Sequence, residues 1–357
     1  MKTLKSLFGL AFLVLFSVIL TLVAGGGTLM MVGILVLAIA GSYLAAKHPQ
    51  VVAMVGGIDP EIWHNWIVEK LFASNKFLDF ARKADDYVVG GRYVHIPQAG
   101  SASAVEKNRS VLPATVTKRT DTDILYALDE FTSDPRLIEN AAKILSYNKM
   151  DSAMGQDLRA IIQLVAREML YNWAPAGDDY IVLTTGSNTD AHLPDATGNR
   201  KLLELKNLDE AAARMDELDI PDDERYALFS ARMHKQFIGL LSATQYRDFS
   251  SLMDPKKGIA GEYAGFKILK RSSVLRFADG ATPVVKAVDA ANETTDCDGI
   301  LCWHPMWVER ALGQTTIFQD QDNPLYYGDI YSLLVRAGGR KTDADGDGVI
   351  AIVQDVG

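Results

Sequence analysis

The sequence predicts an α+β protein: short β segments and a few helices in two folded regions, preceded by an apolar N-terminal extension. Three observations predict it. Residues 137–173 contain a long amphipathic helix. Threonine-rich, β-prone sequence precedes that helix. Short strands and helices alternate after it, with no repeat at a 20–50 residue period. A chain of 357 residues can bury a large core, and this length fits two compact regions.

The helix is the element around which the chain is organised. From Asp157 onward its apolar residues fall at Leu158, Ile161, Ile162, Val165, Met169 and Leu170. That is one stripe at helical spacing, with Arg159, Gln163 and Arg167 on other faces. Gly155-Gln156 loosen its start, and Ala174-Pro175 end it. A helix of this kind buries one face and holds other parts apart.

Residues 1–50 differ from the rest. They carry Lys2, Lys5 and Lys47 and no acid. Two apolar runs, Leu7 to Ala24 and Thr28 to Ala46, flank Gly25-Gly26-Gly27, and both approach the length of a bilayer-spanning helix. Three readings compete: a secretory signal, a membrane-inserted hairpin, or an extension buried between subunits or removed during assembly. The whole chain has net charge −9; beyond residue 50 there are 33 bases against 45 acids. This argues against sequence-specific or tight nucleic-acid binding, but not against a container that holds nucleic acid without gripping it.

After a linker around His48–Asp59, residues 60–81 read as a short amphipathic helix with Trp63, Trp66, Ile67, Leu71 and Phe72 on one face. Residues 87–97 (YVVGGRYVHIP) read as a strand interrupted by Gly90-Gly91, and 115–132 as a long returning strand. The polar tip between them makes an extended hairpin, whose outer half waves in solvent or lies on a neighbour. Beyond the long helix, 178–183 predicts a strand and 184–199 a loop. Two helices broken at Asp219-Ile220-Pro221 follow, with Asp222 and Asp223 starting the second. Then come a glycine-punctuated β segment (258–274), a strand and a helix beginning near Pro305, a turn and strand over 322–341, and a final strand.

No motif supports an enzyme, and no residue is assigned a catalytic, cofactor-binding or metal role. Asp343, Asp345, Asp347 and Gly348 lie in a stretch that matches half a calcium loop, but Gln354 stands at its twelfth position; a polar turn between strands is the plainer reading. His64, His95, His192, His234 and His304 are scattered without ligand spacing. No phosphate-cradling or nucleophile motif occurs. Asp216, Glu217, Asp219, Asp222, Asp223 and Glu224 form a solvated acidic junction, and Asn108-Arg109-Ser110 is a glycosylation sequon by pattern only. Cys297 and Cys302 can close a small disulfide, but two reduced, partly buried thiols are the plainer reading.

The order of elements resembles the major capsid proteins of tailed bacteriophages, the Hong Kong 97-type fold. An arm helix leads into YVVGGRYVHIPQAG, a flexible tip, TVTKRTDTDILYALDEFTSDP and the long helix. Residues 219–240 (Ile-Pro-Asp-Asp-Glu-Arg between helices), GIAGEYAGFKILKRSSV (258–274) and LLVRAGGRK (333–341) are similar to recurring segments of that family. The ordered set covers roughly residues 60–357.

The resemblance implies five parts: 1–50, an apolar extension; 51–85, an N-terminal arm; 86–177, an extended loop and spine helix forming a peripheral domain; 178–325, mainly an axial domain; and 326–357, closing strands. It implies a structural, non-enzymatic protein without cofactors. Its copies form hexamers and pentamers in an icosahedral virion shell, with a portal protein as partner and a scaffold left open. The shell encloses double-stranded DNA and assembles in the bacterial cytoplasm, or at the membrane through residues 1–50. No cross-linking role transfers to Lys107 or Lys118. A cellular nanocompartment shell and a membrane-anchored α/β protein are the alternatives.

Overall fold

Two β-sheets divide the labour. One carries the long helix, and the other carries three shorter helices. The structure, a computed structural model, describes residues 67, 69–98, 107–108, 122–139, 149–342 and 347–356. The apolar runs of 1–50, Trp63, Trp66, the outer part of the extended hairpin and residues 343–346 lie outside the described residues. All that is described belongs to one unit, His64–Gly357. No described helix is long and apolar enough to cross a membrane.

A helical turn at 69–74 opens the described chain. Then come β1 (Arg82–Lys83), β2 (Val88–Val89), β3 (Tyr93–Gln98), β4 (Thr122–Ala127), β5 (Asp129–Thr132), β6 (Arg136–Glu139) and helix α1 (Lys149–Trp173). The next group is β7 (Ile181–Leu183), β8 (Asn188–Asp190), β9 (Asn199–Lys201), α2 (Leu205–Glu217), β10 (Arg225–Ser230), α3 (Ala231–Leu240) and α4 (Ala243–Ser251). The chain ends with β11 (Ile259–Tyr263), β12 (Phe266–Arg271), β13 (Leu275–Ala278), β14 (Val284–Val285), β15 (Cys297–Trp303), β16 (Val308–Asn323), β17 (Gly328–Lys341) and β18 (Val349–Val353).

In the first sheet β16 and β17 form one long antiparallel hairpin, with Val308 opposite Lys341 and Asn323 opposite Gly328. β5 and β6 pair in turn with the other edge of β17, and β1 joins β16 in parallel. α1 packs on β17 through the predicted stripe: Leu158, Ile161, Ile162, Val165, Met169 and Leu170 are all buried. Gly338 and Gly339 explain LLVRAGGRK. A Cβ on Gly338 would meet Leu128, and one on Gly339 would meet the Glu309 carbonyl and Trp173. The bare backbone of β17 thus lets the helix approach one face and the hairpin base the other.

In the second sheet β15 is central. β18 pairs along one side, and β10 and β13 share the other. β12 joins β10 in parallel, β11 follows β12, and β7 joins β18. Its core includes Leu208, Met215, Phe229, Phe237, Phe266, Ile300 and Ile352, between the sheet and α2–α4. Each glycine of GIAGEYAGF has a distinct task. Gly258 turns with φ +77°; a Cβ on Gly261 would strike Phe249; Ala264 and Gly265 both take positive φ in the tight turn joining β11 to β12.

Several expectations change. Gly90 and Gly91, both at positive φ, form the turn of a hairpin between β2 and β3 rather than interrupting one strand. The returning strand breaks at Leu128: β4 pairs with β3, whereas β5 joins β17. Residues 184–199 are not wholly loop, since β8 and β9 pair. Between the two expected helices lies strand β10, buried at all six residues, so Asp222 and Asp223 start no helix; α3 begins at Ala231, capped by Ser230. The expected helix near Pro305 is a single turn, Pro305–Trp307, and Val308–Asn323 is strand. Pairing along β17 overrides the helical propensity of VERAL. Cys297 and Cys302 are both buried and free in β15, where five residues of extended chain hold them apart.

Candidate assembly surfaces and the junction that orients them

A chain of aromatic rings joins the two sheets. Phe77 meets Trp173 edge-on at 5.9 Å, and Trp173 lies 5.9 Å from Trp303. Tyr226 sits 5.9 Å from Trp303 and stacks on Phe80 at 4.2 Å. The indole N–H groups are used as well. Trp173 donates to the Glu309 carbonyl at 2.9 Å and Trp303 to the Phe80 carbonyl at 2.8 Å. The end of α1, the start of β10, the end of β15 and the segment 77–80 are therefore held as one piece.

Beside this junction lies a buried ionic group. Glu309, 1 % exposed, has Arg82 at 3.3 Å and Arg340 at 3.9 Å, yet neither carboxylate oxygen has a hydrogen-bond partner. Burial pushes its pKa above the usual carboxylate value, and Arg82 and Arg340 offset only part of that. Tyr126, from the hairpin base, lies against Arg340, with its hydroxyl pKa raised by burial and by Glu309. A carboxylate raised in the folded state binds protons more tightly there than in the unfolded chain. It favours folding at acid pH, and that contribution is lost as pH rises through the raised value. Glu309→Gln, which mimics the neutral form, is expected to melt at or above the native temperature at pH 7. The gap should close toward pH 4, measured by thermal unfolding across pH.

Three apolar surfaces point away from these cores. The tip of the β16–β17 hairpin carries Leu325 (81 % exposed), Tyr326 and Tyr327 (78 %), with Phe318 also exposed behind it. The sheet β2–β3–β4 buries Val94 and Ile96 against Leu128 and Ala311, while Val89, Tyr93 and Leu125 on its other face are exposed. Near α3 and α4, Leu240, Tyr246, Leu252 and Met253 are exposed. Clustered exposed side chains of this size mark contact surfaces. The tip had a sequence signal that went unread: NPLYYG is a turn holding three large non-polar residues where turns are normally polar.

The residues singled out in the sequence do not converge. His192 bonds Asp298 at 2.8 Å, and Asp298 also accepts from Ser230. His234 is half-buried beside Phe229, and His304 caps the Pro305–Trp307 turn; burial lowers the pKa of both. His95 and Lys107 are exposed, and His64 and Lys118 lie outside the described residues. Of the half calcium loop only Asp347 and Gly348 are described, and Asp347 accepts the Tyr180 hydroxyl. Within the acidic junction, Asp216 and Asp222 pair with buried Arg225, whose guanidinium also donates to the Ile220 and Pro221 carbonyls. That explains the Ile-Pro-Asp-Asp-Glu-Arg pattern as a staple for the chain between α2 and β10. Among the described residues no group of three or more His, Cys, Asp or Glu could hold a metal ion.

No protein-family profile and no curated protein matches the sequence. Solved structures do. The capsid of Ralstonia phage GP4 matches with a TM-score of 0.56 at 11% identity, over 78% of this chain and 87% of that one. The capsid of cyanophage P-SCSP1u matches with a TM-score of 0.52 at 18% identity, over 77% and 86%. The capsid of the native GTA particle gives 0.51 at 9% identity, over 79% and 90%. At such low identity the likeness concerns backbone architecture: the chain has the α+β fold of phage capsid proteins.

Proposed function

We propose that this chain is a major capsid protein, a structural subunit without catalysis, whose copies self-assemble into the icosahedral shell enclosing phage double-stranded DNA. The observation that carries the proposal is the exposed Leu325–Tyr327 tip at the end of a rigid hairpin, on a fold shared with capsid chains. A closed shell is built from repeated contacts between copies, and such contacts need protruding anchors of this kind. In this reading 51–85 is an arm, 86–177 a peripheral domain with extended loop and spine helix, 178–325 mainly an axial domain, and 326–357 the closing strands. The copies form pentamers and hexamers in the virion, with a portal protein as partner. Residues 1–50 act during assembly in the host cytoplasm or at its membrane.

Electron microscopy of the full chain and of the chain from residue 51 tests the proposal. Shells tens of nanometres across are expected from at least one of them. Leu325→Ser combined with Tyr327→Ser is expected to leave the melting temperature within about 2 °C, since surface changes are worth about 0.5 kcal/mol or less, while abolishing closed shells. Soluble monomers from both native chains would overturn the reading.

A further inference from the structure

Beyond residue 50 the chain carries 33 bases against 45 acids, and most of its buried or half-buried cations are paired. One surface departs from this. Lys76, Arg159, Arg167, Lys256, Lys257 and Arg271 make no ion pair among the described residues. They are neighbours. Lys76 Nζ donates to the Pro255 and Lys256 carbonyls at 2.9 and 2.6 Å. The next residue, Phe77, lies 5.6 Å beneath the Arg271 guanidinium. Arg271 reaches the carbonyl of Gln163 in α1, and Arg159 and Arg167 stand one helical turn to either side of that residue.

The band thus runs from the loop after α4, across the segment 76–77, to the outer row of the long helix. Arg159, Arg167, Lys256 and Lys257 are exposed. Burial, and to a lesser degree the neighbouring Arg167, lower the Arg271 pKa to about 10, and Glu168, the carboxylate beside Arg167, forms no ion pair with it among the described residues. The nearest acid in the loop, Asp254, accepts from the backbone N–H groups of Lys256 and Lys257 and leaves their ammonium groups without an ion pair.

We infer that this band is a contact surface for the phosphate backbone of duplex DNA. The inference rests on the capsid reading, and it assigns the band to the inner side of the shell. Arg159 and Arg167 are about 12 Å apart along the helix, a length over which a duplex presents about seven phosphate charges. The remaining acidic surface keeps the contact local, so DNA is held along one track without being immobilised over the whole wall. No side chain here has the setting for base readout, and the contact is independent of sequence.

The test uses unassembled full-length chain in a non-ionic detergent and a short fluorescent duplex, with anisotropy read over a salt series. Arg159→Gln/Arg167→Gln and Lys256→Gln/Lys257→Gln are each expected to weaken binding at least tenfold at low salt. Each should also reduce the salt slope by about 1.8, at about 0.9 per lost contact. Arg232→Gln/Lys235→Gln, which removes two exposed cations of α3, should change binding less than twofold. Equal losses from all three pairs, or no duplex binding by the native chain, would overturn the inference. So would binding of poly-glutamate in preference to duplex, which would point to an acidic protein segment. Shell formation by the same variants is scored by microscopy. Shells with unchanged duplex binding sink the DNA track alone, whereas no shells from either the full chain or the chain from residue 51 sink the capsid reading.

Discussion

Trp173→Ala is expected to lower the melting temperature by about 10 °C, corresponding to a loss of about 3–5 kcal/mol for a large buried aromatic. Trp173 is fully buried at the last turn of α1, touches Phe77 and Trp303, and donates its indole N–H to the Glu309 carbonyl. Gly339 leaves room for this ring, so little backbone can collapse into the space without breaking the β16–β17 ladder. Trp173→Phe keeps much of the ring volume but loses the hydrogen bond, and should cost about 1–2 kcal/mol. Thermal and chemical unfolding of the three proteins checks this. Equal stability of Trp173→Ala and Trp173→Phe would show that the hydrogen bond, and not the ring packing, ties α1 to the sheet.

Arg200→Met is expected to cost about 2–3 kcal/mol, although it removes no ion pair, because the buried Asp296 carbonyl and three part-buried carbonyls lose their donor. Arg200 is 2 % exposed, and its guanidinium donates to the carbonyls of Thr197, Asn199, Thr294 and Asp296. Methionine preserves the stem and strands those four acceptors. The loss should be local first. Hydrogen exchange over residues 191–200 and 290–296 should quicken well before α1 or β17, because Arg200 supplies most of the hydrogen bonds between these two polar loops, beside the Thr197–Thr294 backbone bond and the Asn292–Asp195 bond. Uniform acceleration across the chain would instead make Arg200 part of the global core. Arg200→Lys, with three donors in place of a five-donor fork, is expected to recover part of the stability only.

These two residues differ in how visible they were beforehand. Trp173 closes the α1 segment, whose repeat of apolar residues is local. Arg200 sits in an unremarkable polar stretch, and its importance comes from Thr294 and Asp296, some 95 positions later. The same holds for Glu309. It falls in the segment read as a helix beginning near Pro305, and only the meeting of β1, β16, β17 and the hairpin base buries it.

Features that depend on neighbours a few positions away could be read from the residues alone. The helical stripe of Leu158 to Leu170, the glycine-punctuated β segment of 258–274 and the order of elements that resembles phage capsid proteins were all legible, because each is a local spacing or a local backbone requirement. Packing between distant segments set the rest. It turned Val308–Asn323 into a strand, because pairing along the whole of β17 outweighs a helical propensity of a few tenths of a kcal/mol per residue. It also placed strand Arg225–Ser230 between two helices, buried Glu309 and Arg200, and gathered Lys76, Lys256, Arg271 and Arg167 onto one surface. Such outcomes depend on partners outside the segment, from the other arm of a hairpin to residues a hundred or more positions away, and no periodicity within a segment records which partner will arrive.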